Sequence, residues 1–334
     1  MNLYVSDCSP TPAIDAKYHQ KVSQAYAEST ARDLISKWSR YIEFCAKNKL
    51  SLYPPQPMNV ARFLTFYCDC VGSFATVNNM LSAIKTFYKY SGYDIDTHHP
   101  IIDLLMKSCR RSMSANSKPK SPIELGHLLL IKQLIDFNDP PQYTFFLALV
   151  LQFFACLRVS NLVPNSPSQV FSHKHITRAS VVVNEDNIII MLNWSKTLQN
   201  KQDIFSIPIA AASGSPIDPV AMYKHFTDRF RLPGNYPVFA FKDKGVIHVL
   251  HRKMYIEYLK HYLARLGIDP TNYSSHSVRR GAATCLFSLK CPTPLLKSHG
   301  TWKSDAYLRY VSLSFEQKLI PTLKFHEKLK SLVS

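Results

Sequence analysis

Apolar positions recur at helical spacing through most of the chain and change to the two-residue period of strands only in one central stretch. Leu34, Ile35, Trp38, Tyr41, Ile42 and Cys45 fall at the spacing of one helical face, and Thr30-x-x-Asp33 ahead of them reads as a capping-box variant. The Pro54-Pro55-x-Pro57 cluster breaks the chain before a second helix carrying Val60, Phe63 and Leu64. A third helix is predicted over about 76–90, with Val77, Leu81, Ile84 and Tyr88 on one side, and a fourth over about 101–112. Residues 1–24 read as a polar leader. The pattern therefore predicts an all-helical domain over 25–112.

Residues 110–123, RRSMSANSKPKSPI, combine Ser, Pro and cations without apolar periodicity, and 113–122 is read as a basic linker. A second domain is expected over 123–334. Helices are predicted over 125–137, 142–158, 219–230, 252–266, 279–289 and 294–298, with an amphipathic C-terminal helix over 314–332. Strands are predicted over 180–183, 187–192 and 204–209, the first two joined by the turn-like Asn184-Glu185-Asp186-Asn187. The fold class is mainly α with a small antiparallel β-sheet.

Composition narrows the partners. Lys and Arg number 40 against 23 acidic residues, a formal net charge of +17, which points to an anionic polymer. Residues 1–115 carry 13 basic and 9 acidic groups and residues 116–334 carry the remaining 27 and 14, so the second domain should dominate phosphate contact. The eight cysteines form no C-x-x-C pair; Cys45 and Cys156 fall inside apolar helical patterns, as free thiols of a reduced intracellular protein would. Cys68-x-Cys70 has no matching ligands for zinc. The N-terminus does not read as a secretory signal, and the apolar run from Tyr143 to Leu157 is too short to span a bilayer.

The candidate chemistry lies in the second domain. Phosphoryl transfer needs an aligned nucleophile, cations at the nonbridging oxygens and a proton donor for the leaving oxygen. Arg suits the oxygens through its charged fork, and His and Lys can move protons. His276-x-x-Arg279, Trp302 and the phenol of Tyr310 lie close together in sequence, and no P-loop, acidic metal cluster or HExxH accompanies them. Neither a metal nor another cofactor is expected. Arg280 adjoins Arg279, His299 competes with Trp302, Lys201 with Lys196, and Tyr307 stands three residues before Tyr310.

These residues carry a family resemblance. Ala155-Cys156-Leu157-Arg158-Val159-Ser160-Asn161-Leu162 resembles the first catalytic arginine motif of the tyrosine recombinases (phage integrase-like), at the end of a buried helix. His276-x-x-Arg279-Arg280-Gly281 resembles their H-x-x-R motif, Gly300-Thr301-Trp302 with Tyr310 their closing tryptophan and nucleophile, and Trp194-Ser195-Lys196-Thr197 their β-hairpin lysine. Thr76-Val77-x-x-x-Leu81-Ser82-Ala83-Ile84 looks like part of their helical core-binding domain. HSVRRGAATCLFS and HGTWKSDAYLRYV are particularly similar to recombinases of eukaryotic DIRS-like and Crypton mobile elements. Two departures stand out: the step from Trp302 to Tyr310 is eight positions where the family commonly has nine, and Asn161 replaces a frequent acidic residue.

The resemblance implies a core-binding domain and an α+β catalytic domain forming a C-shaped clamp on double-stranded DNA. It implies attack by Tyr310 to give a 3′-phosphotyrosyl link, with Arg158, Arg279, His276 and Trp302 around the phosphate and Lys196 protonating the leaving 5′ oxygen. ATP, metal, membrane and small-molecule substrate have no part in that chemistry. Exchange of two duplexes implies a DNA-assembled homotetramer docked through the C-terminal helix, and likeness to eukaryotic elements implies action in the nucleus. A type IB topoisomerase-like strand transferase and a domesticated DNA-binding protein without activity are the alternatives.

Overall fold

The computed structural model describes residues 25–113, 120–169, 174–192, 204–212, 214–302 and 304–311, with positions 319 and 322. The expected leader, most of the linker, Lys196 with its competitor Lys201, and nearly all of the expected C-terminal helix lie outside the described residues. Contacts divide the chain into Met1–Pro119 and Lys120–Ser334, and each unit is described by itself.

The first unit contains α1 (Glu28–Lys47), α2 (Pro57–Cys70), α3 (Phe74–Tyr90) and α4 (Pro100–Ser112). Helix α1 begins at Glu28 behind Ala27, which makes no side-chain cap, so the expected capping box at Thr30 does not form; that residue already lies inside the helix. The buried stripe of α1 is Leu34, Tyr41 and Cys45, joined by half-buried Trp38, whose indole N–H donates to the Ala83 carbonyl at 2.7 Å. Ile35 and Ile42, expected on that face, are 57% and 37% exposed. Aromatic residues fill the core. The Tyr41 and Tyr88 hydroxyls share a hydrogen bond at 2.8 Å, and the Tyr41 ring lies 5.1 Å from that of Phe63.

The second unit begins with α5 (Leu125–Leu134), α6 (Pro140–Phe154) and the short α7 (Val159–Leu162). Strands β1 (Val181–Val183), β2 (Asn187–Leu192) and β3 (Phe205–Ala210) follow, then α8 (Pro219–Arg229), β4 (Ala240–Asp243) and β5 (Val246–Val249). Helices α9 (Arg252–Arg265), α10 (Ser275–Ser288) and α11 (Thr293–His299) complete it, with a 3-10 turn over Asp305–Arg309. Strands β1, β2 and β3 form an antiparallel sheet in which Ile188 pairs with both Val183 and Ile209. Alternate β2 residues Ile188, Ile190 and Leu192 are buried, as the two-residue period requires. The β4–β5 hairpin is absent from the predicted elements. Its turn holds Lys244 and Gly245 at φ of +46° and +85°, the left-handed pair favoured in two-residue hairpin loops.

Helix α6 is the centre of this unit: every residue from Tyr143 to Phe153 is buried. It was expected to run to Arg158, but Cys156 takes φ of +48° and ends it at Phe154. Helix α10 was expected from Arg279 and begins at Ser275. The Ser274 side chain accepts from His276 N–H, and the Ser277 hydroxyl accepts from Ser274 N–H at 2.9 Å. Residues 120–123, partly assigned to the linker by composition, are tied to this unit: Ser121 N–H donates to the Asn272 carbonyl at 2.8 Å and Ile123 N–H to the Ser277 carbonyl at 2.9 Å.

Ile123 also sets the approach of α10. A Cβ on Gly281 would stand 1.5 Å from the Ile123 carbonyl oxygen, and a backbone atom cannot rotate aside as a side chain can. Gly281→Ala should therefore lower unfolding free energy by about 3 kcal/mol, the upper end for overpacking, as read by chemical denaturation; a wild-type midpoint would contradict the close approach.

Candidate active site

Two helix ends and one helix start build the candidate site. At the end of α6, Cys156 N–H bonds to the Phe153 carbonyl at 3.1 Å and Leu157 N–H to the Gln152 carbonyl at 3.0 Å. At the end of α11, Thr301 N–H bonds to the Ser298 carbonyl at 3.0 Å and Trp302 N–H to the Lys297 carbonyl at 2.9 Å. Each pair is a Schellman turn, with the left-handed position taken by Cys156 at φ +48° and by Thr301 at φ +55°. The first turn leads into Arg158, the N-cap of α7. The second delivers Trp302.

Helix α10 supplies His276 in its first turn and Arg279 three residues later, so both side chains project from one face. Arg279 is 2% exposed. Its two terminal nitrogens donate to the carbonyls of Cys156 and Gly300, the latter at 2.6 Å, so its guanidinium sits on the final turns of both α6 and α11. Those helix ends carry partial negative charge and compensate a buried cation that has no carboxylate partner among the described residues. Trp302 and Tyr310 cover the guanidinium, with ring centroids 4.3 and 5.4 Å from its central carbon. Gly300 permits this packing: a Cβ there would lie 1.7 Å from the Trp302 ring.

Gln152 ties the surrounding segments together. Its amide nitrogen donates to the Leu157 and Ser275 carbonyls, both at 3.1 Å, and its amide oxygen accepts from the Tyr255 hydroxyl. One buried carboxamide thus joins the chain before Arg158, the first turn of α10 and the body of α9.

Three donors at the site have no partner: Arg158 Nη1, Arg279 Nε and Trp302 Nε1 are buried without a hydrogen bond. Burial of such groups is costly unless something accepts from them. The electrostatics are one-sided as well. His276 is pulled below the usual histidine value by desolvation and then by Arg252, Arg279 and Arg158. Burial, and then Arg158, lowers Arg279, which remains a cation at neutral pH.

The structure thus brings Arg158, His276, Arg279, Trp302 and Tyr310 together. Lys196 lies outside the described residues. His299 is turned to the Phe154 carbonyl, with Nε2 at 2.6 Å, so its ring is engaged on α6 while the Trp302 N–H is unpaired. Tyr307 lies inside the 3-10 segment and Tyr310 is its C-cap. Tyr307 is 7% exposed and packs 6.3 Å from the Trp302 ring; Tyr310 is half-buried and packs 5.7 Å from it. Sequence reasoning missed Arg252, in the first turn of α9, whose charge acts on His276. No spacing rule marks it among 40 basic residues. Among the described residues no group of three His, Cys, Asp or Glu side chains is arranged to hold a metal ion, and no helix is long and apolar enough to cross a membrane.

Two measurements follow from this geometry. Gln152→Leu would orphan buried groups on three segments, each costing about 1–3 kcal/mol, so unfolding free energy should drop by at least about 3 kcal/mol; a loss under about 1 kcal/mol would contradict the tie. The His276 ring should titrate by NMR below free histidine. Because its folded value is depressed, the unfolded chain binds the proton more readily, and stability falls as pH drops through the ordinary histidine range near about 6.5. His276→Gln should remove that dependence, and a His276 titration at or above the free value would refute the cationic surroundings.

No protein-family model matches the chain. An integrase/recombinase XerD homologue of Selenomonas ruminantium is 23% identical over 288 residues, covering 81% of this chain and 77% of that protein. Among solved structures, the XerH site-specific recombinase bound to a palindromic difH substrate, in a post-cleavage complex, matches with a TM-score of 0.62 at 14% identity, covering 92% of this chain and 82% of that one. The Tn1549 transposon integrase in complex with circular intermediate DNA gives 0.56 at 13% identity, covering 92% and 98%. A lambda integrase dimer bound to a COC′ core site gives 0.55 at 15%, covering 90% and 94%. The chain has the fold of these site-specific recombinases and integrases and shares sequence likeness with the XerD homologue over most of its length.

Proposed function

We propose that this protein is a site-specific tyrosine recombinase of a mobile element, acting on double-stranded DNA through a covalent link to Tyr310. The observation that carries the proposal is the set of three buried, unpartnered donors, Arg158 Nη1, Arg279 Nε and Trp302 Nε1, from three separate segments and accompanied by a tyrosine. A phosphodiester supplies acceptor oxygens for such donors, and donors already fixed in a dry site stabilise charge that develops in the transition state.

In the reaction, the Tyr310 oxygen attacks phosphorus and the bond to the 5′ oxygen breaks. His276, kept neutral by its surroundings, takes the phenolic proton. Arg158, Arg279 and Trp302 hold the nonbridging oxygens, and Lys196 gives a proton to the leaving 5′ oxygen. The product is a 3′-phosphotyrosyl link with a free 5′-hydroxyl, as the family resemblance implies. A 5′-hydroxyl from a second duplex reverses the step, so the phosphoester bond is conserved and the cycle uses neither ATP nor metal. Tyr310 is chosen over Tyr307 because its ring lies over Arg279 and is the less buried of the two. Strand exchange between two duplexes calls for four protomers, with the C-terminal segment 314–332 as the docking element. The HSVRRGAATCLFS and HGTWKSDAYLRYV stretches favour an element of the DIRS-like or Crypton kind, hence action in the nucleus.

Incubation with nicked duplexes of random sequence should trap a covalent adduct, because the strand beyond the nick diffuses away before rejoining. Sequencing the trapped DNA would give the target, and peptide mapping should find the link on Tyr310. Tyr310→Phe should abolish the adduct and Tyr307→Phe should keep it. Adducts mapping to Tyr307 would overturn the assignment of the nucleophile, and no adduct on any DNA that binds would overturn the enzymatic reading.

A further inference from the structure

Three guanidinium groups act on His276, those of Arg158, Arg252 and Arg279. None of the three is ion-paired to a carboxylate among the described residues, and the Arg252 side chain makes no hydrogen bond among them. Like charges gathered without counter-charge call for an anion, and one phosphodiester carries a single negative charge. Arg158 and Arg279 have donors buried beside Trp302. Arg252 is different: it is exposed and lines an open groove of about 610 Å³ together with Asn165, Lys253, Ile256, Glu257 and Lys260.

That groove holds three cations against one carboxylate, and Glu257 is already engaged by Lys253 at 3.9 Å. Lys253, Ile256 and Lys260 recur at helical spacing along one face of α9. The Arg252 N–H donates to the Pro164 carbonyl at 2.9 Å, which fixes the start of α9 against the wall that carries Asn165. The groove therefore has a net cationic lining at the start of α9, and Tyr255, one turn into that helix, is tied through Gln152 to Ser275, the residue before His276.

We propose that Arg252 binds a phosphate next to the scissile one, and that the groove formed with Asn165, Lys253 and Lys260 takes the DNA backbone beyond it. This rests on the reading of the site as DNA-cleaving and adds to it a second phosphate contact with its own arginine. The scissile phosphate is left to Arg158 and Arg279, and Arg252 sets the register of the strand by holding its neighbour.

Two readouts test this. Binding of a fluorescent random-sequence duplex is followed by anisotropy across a salt series for the wild type, Arg252→Gln and Arg252→Lys. The slope of log affinity against log salt should fall by about one for Arg252→Gln and should be kept by Arg252→Lys. On the DNA recovered by covalent trapping, a neutral methylphosphonate is placed at each phosphate flanking the scissile one in turn. At one position it should weaken the wild type and leave Arg252→Gln unchanged. An unaltered salt slope in Arg252→Gln, or losses that add at every flanking phosphate, would overturn the proposal. If the wild type traps no DNA, the cleavage reading fails, and the salt slope still reports whether Arg252 holds a phosphate.

Discussion

The second unit depends on the burial of one guanidinium. Arg279 is 2% exposed and has no carboxylate partner among the described residues, a placement that would be prohibitive if the charge were left uncompensated. Compensation comes from the backbone. The Cys156 and Gly300 carbonyls belong to the closing turns of α6 and α11, where carbonyl groups lack intrahelical partners and the helix dipole is negative. A planar fork with separate donors can reach both turns, and an ammonium ion on a single stem cannot span them in the same way. Arg279 thereby pins the approach to Arg158 and the approach to Trp302 to a single point on α10.

The same arrangement divides the guanidinium between structure and chemistry. The bonds from its terminal nitrogens to carbonyls maintain the fold, while Nε is unpaired. Arg158 and Trp302 follow the pattern, each held by its backbone with a buried donor unspent. Donors fixed in this way need little reorganisation when negative charge builds up in front of them. Gln152 supports the arrangement from beneath through α9 and α10. The cost of sealed donors and clustered cations is thus borne by the helix ends and by a fully buried carboxamide.

The sequence made the helices of both units readable, together with the three-stranded sheet, because apolar period marks each element, although Ile35 and Ile42 of α1 fall at the spacing of the buried face and are exposed. It also made His276, Arg279, Trp302 and Tyr310 readable as a group, because motif spacing survives without knowledge of the turns between them. It misplaced the junctions. Helix α6 ends in a left-handed residue that is cysteine, not glycine, so no local signal marks the stop. Helix α10 starts with a capping box built from two serines, Ser274 and Ser277, in place of the commoner Glu or Gln at the third position. Both errors fall where the backbone serves the candidate site, and local rules are most often broken at such places. Arg252 was illegible for another reason: its charge bears on His276, 24 positions away, and only the folded chain brings the two together.

The short step from Trp302 to Tyr310 has a physical counterpart in the type of helix between them. Residues Asp305–Arg309 form a 3-10 segment, which rises about 2.0 Å per residue against about 1.5 Å in an α-helix. Over five residues the difference amounts to about 2.5 Å of added reach, more than a single α-helical residue contributes. Its start is fixed by the Ser304 cap and by Lys297, which holds Asp305 at 2.7 Å and ties the segment back to α11. Tyr307 then fills the core and Tyr310, one 3-10 turn later, comes over Arg279. An eight-residue step can therefore deliver a phenol to the guanidinium because the segment is wound more tightly, with no need for the missing residue.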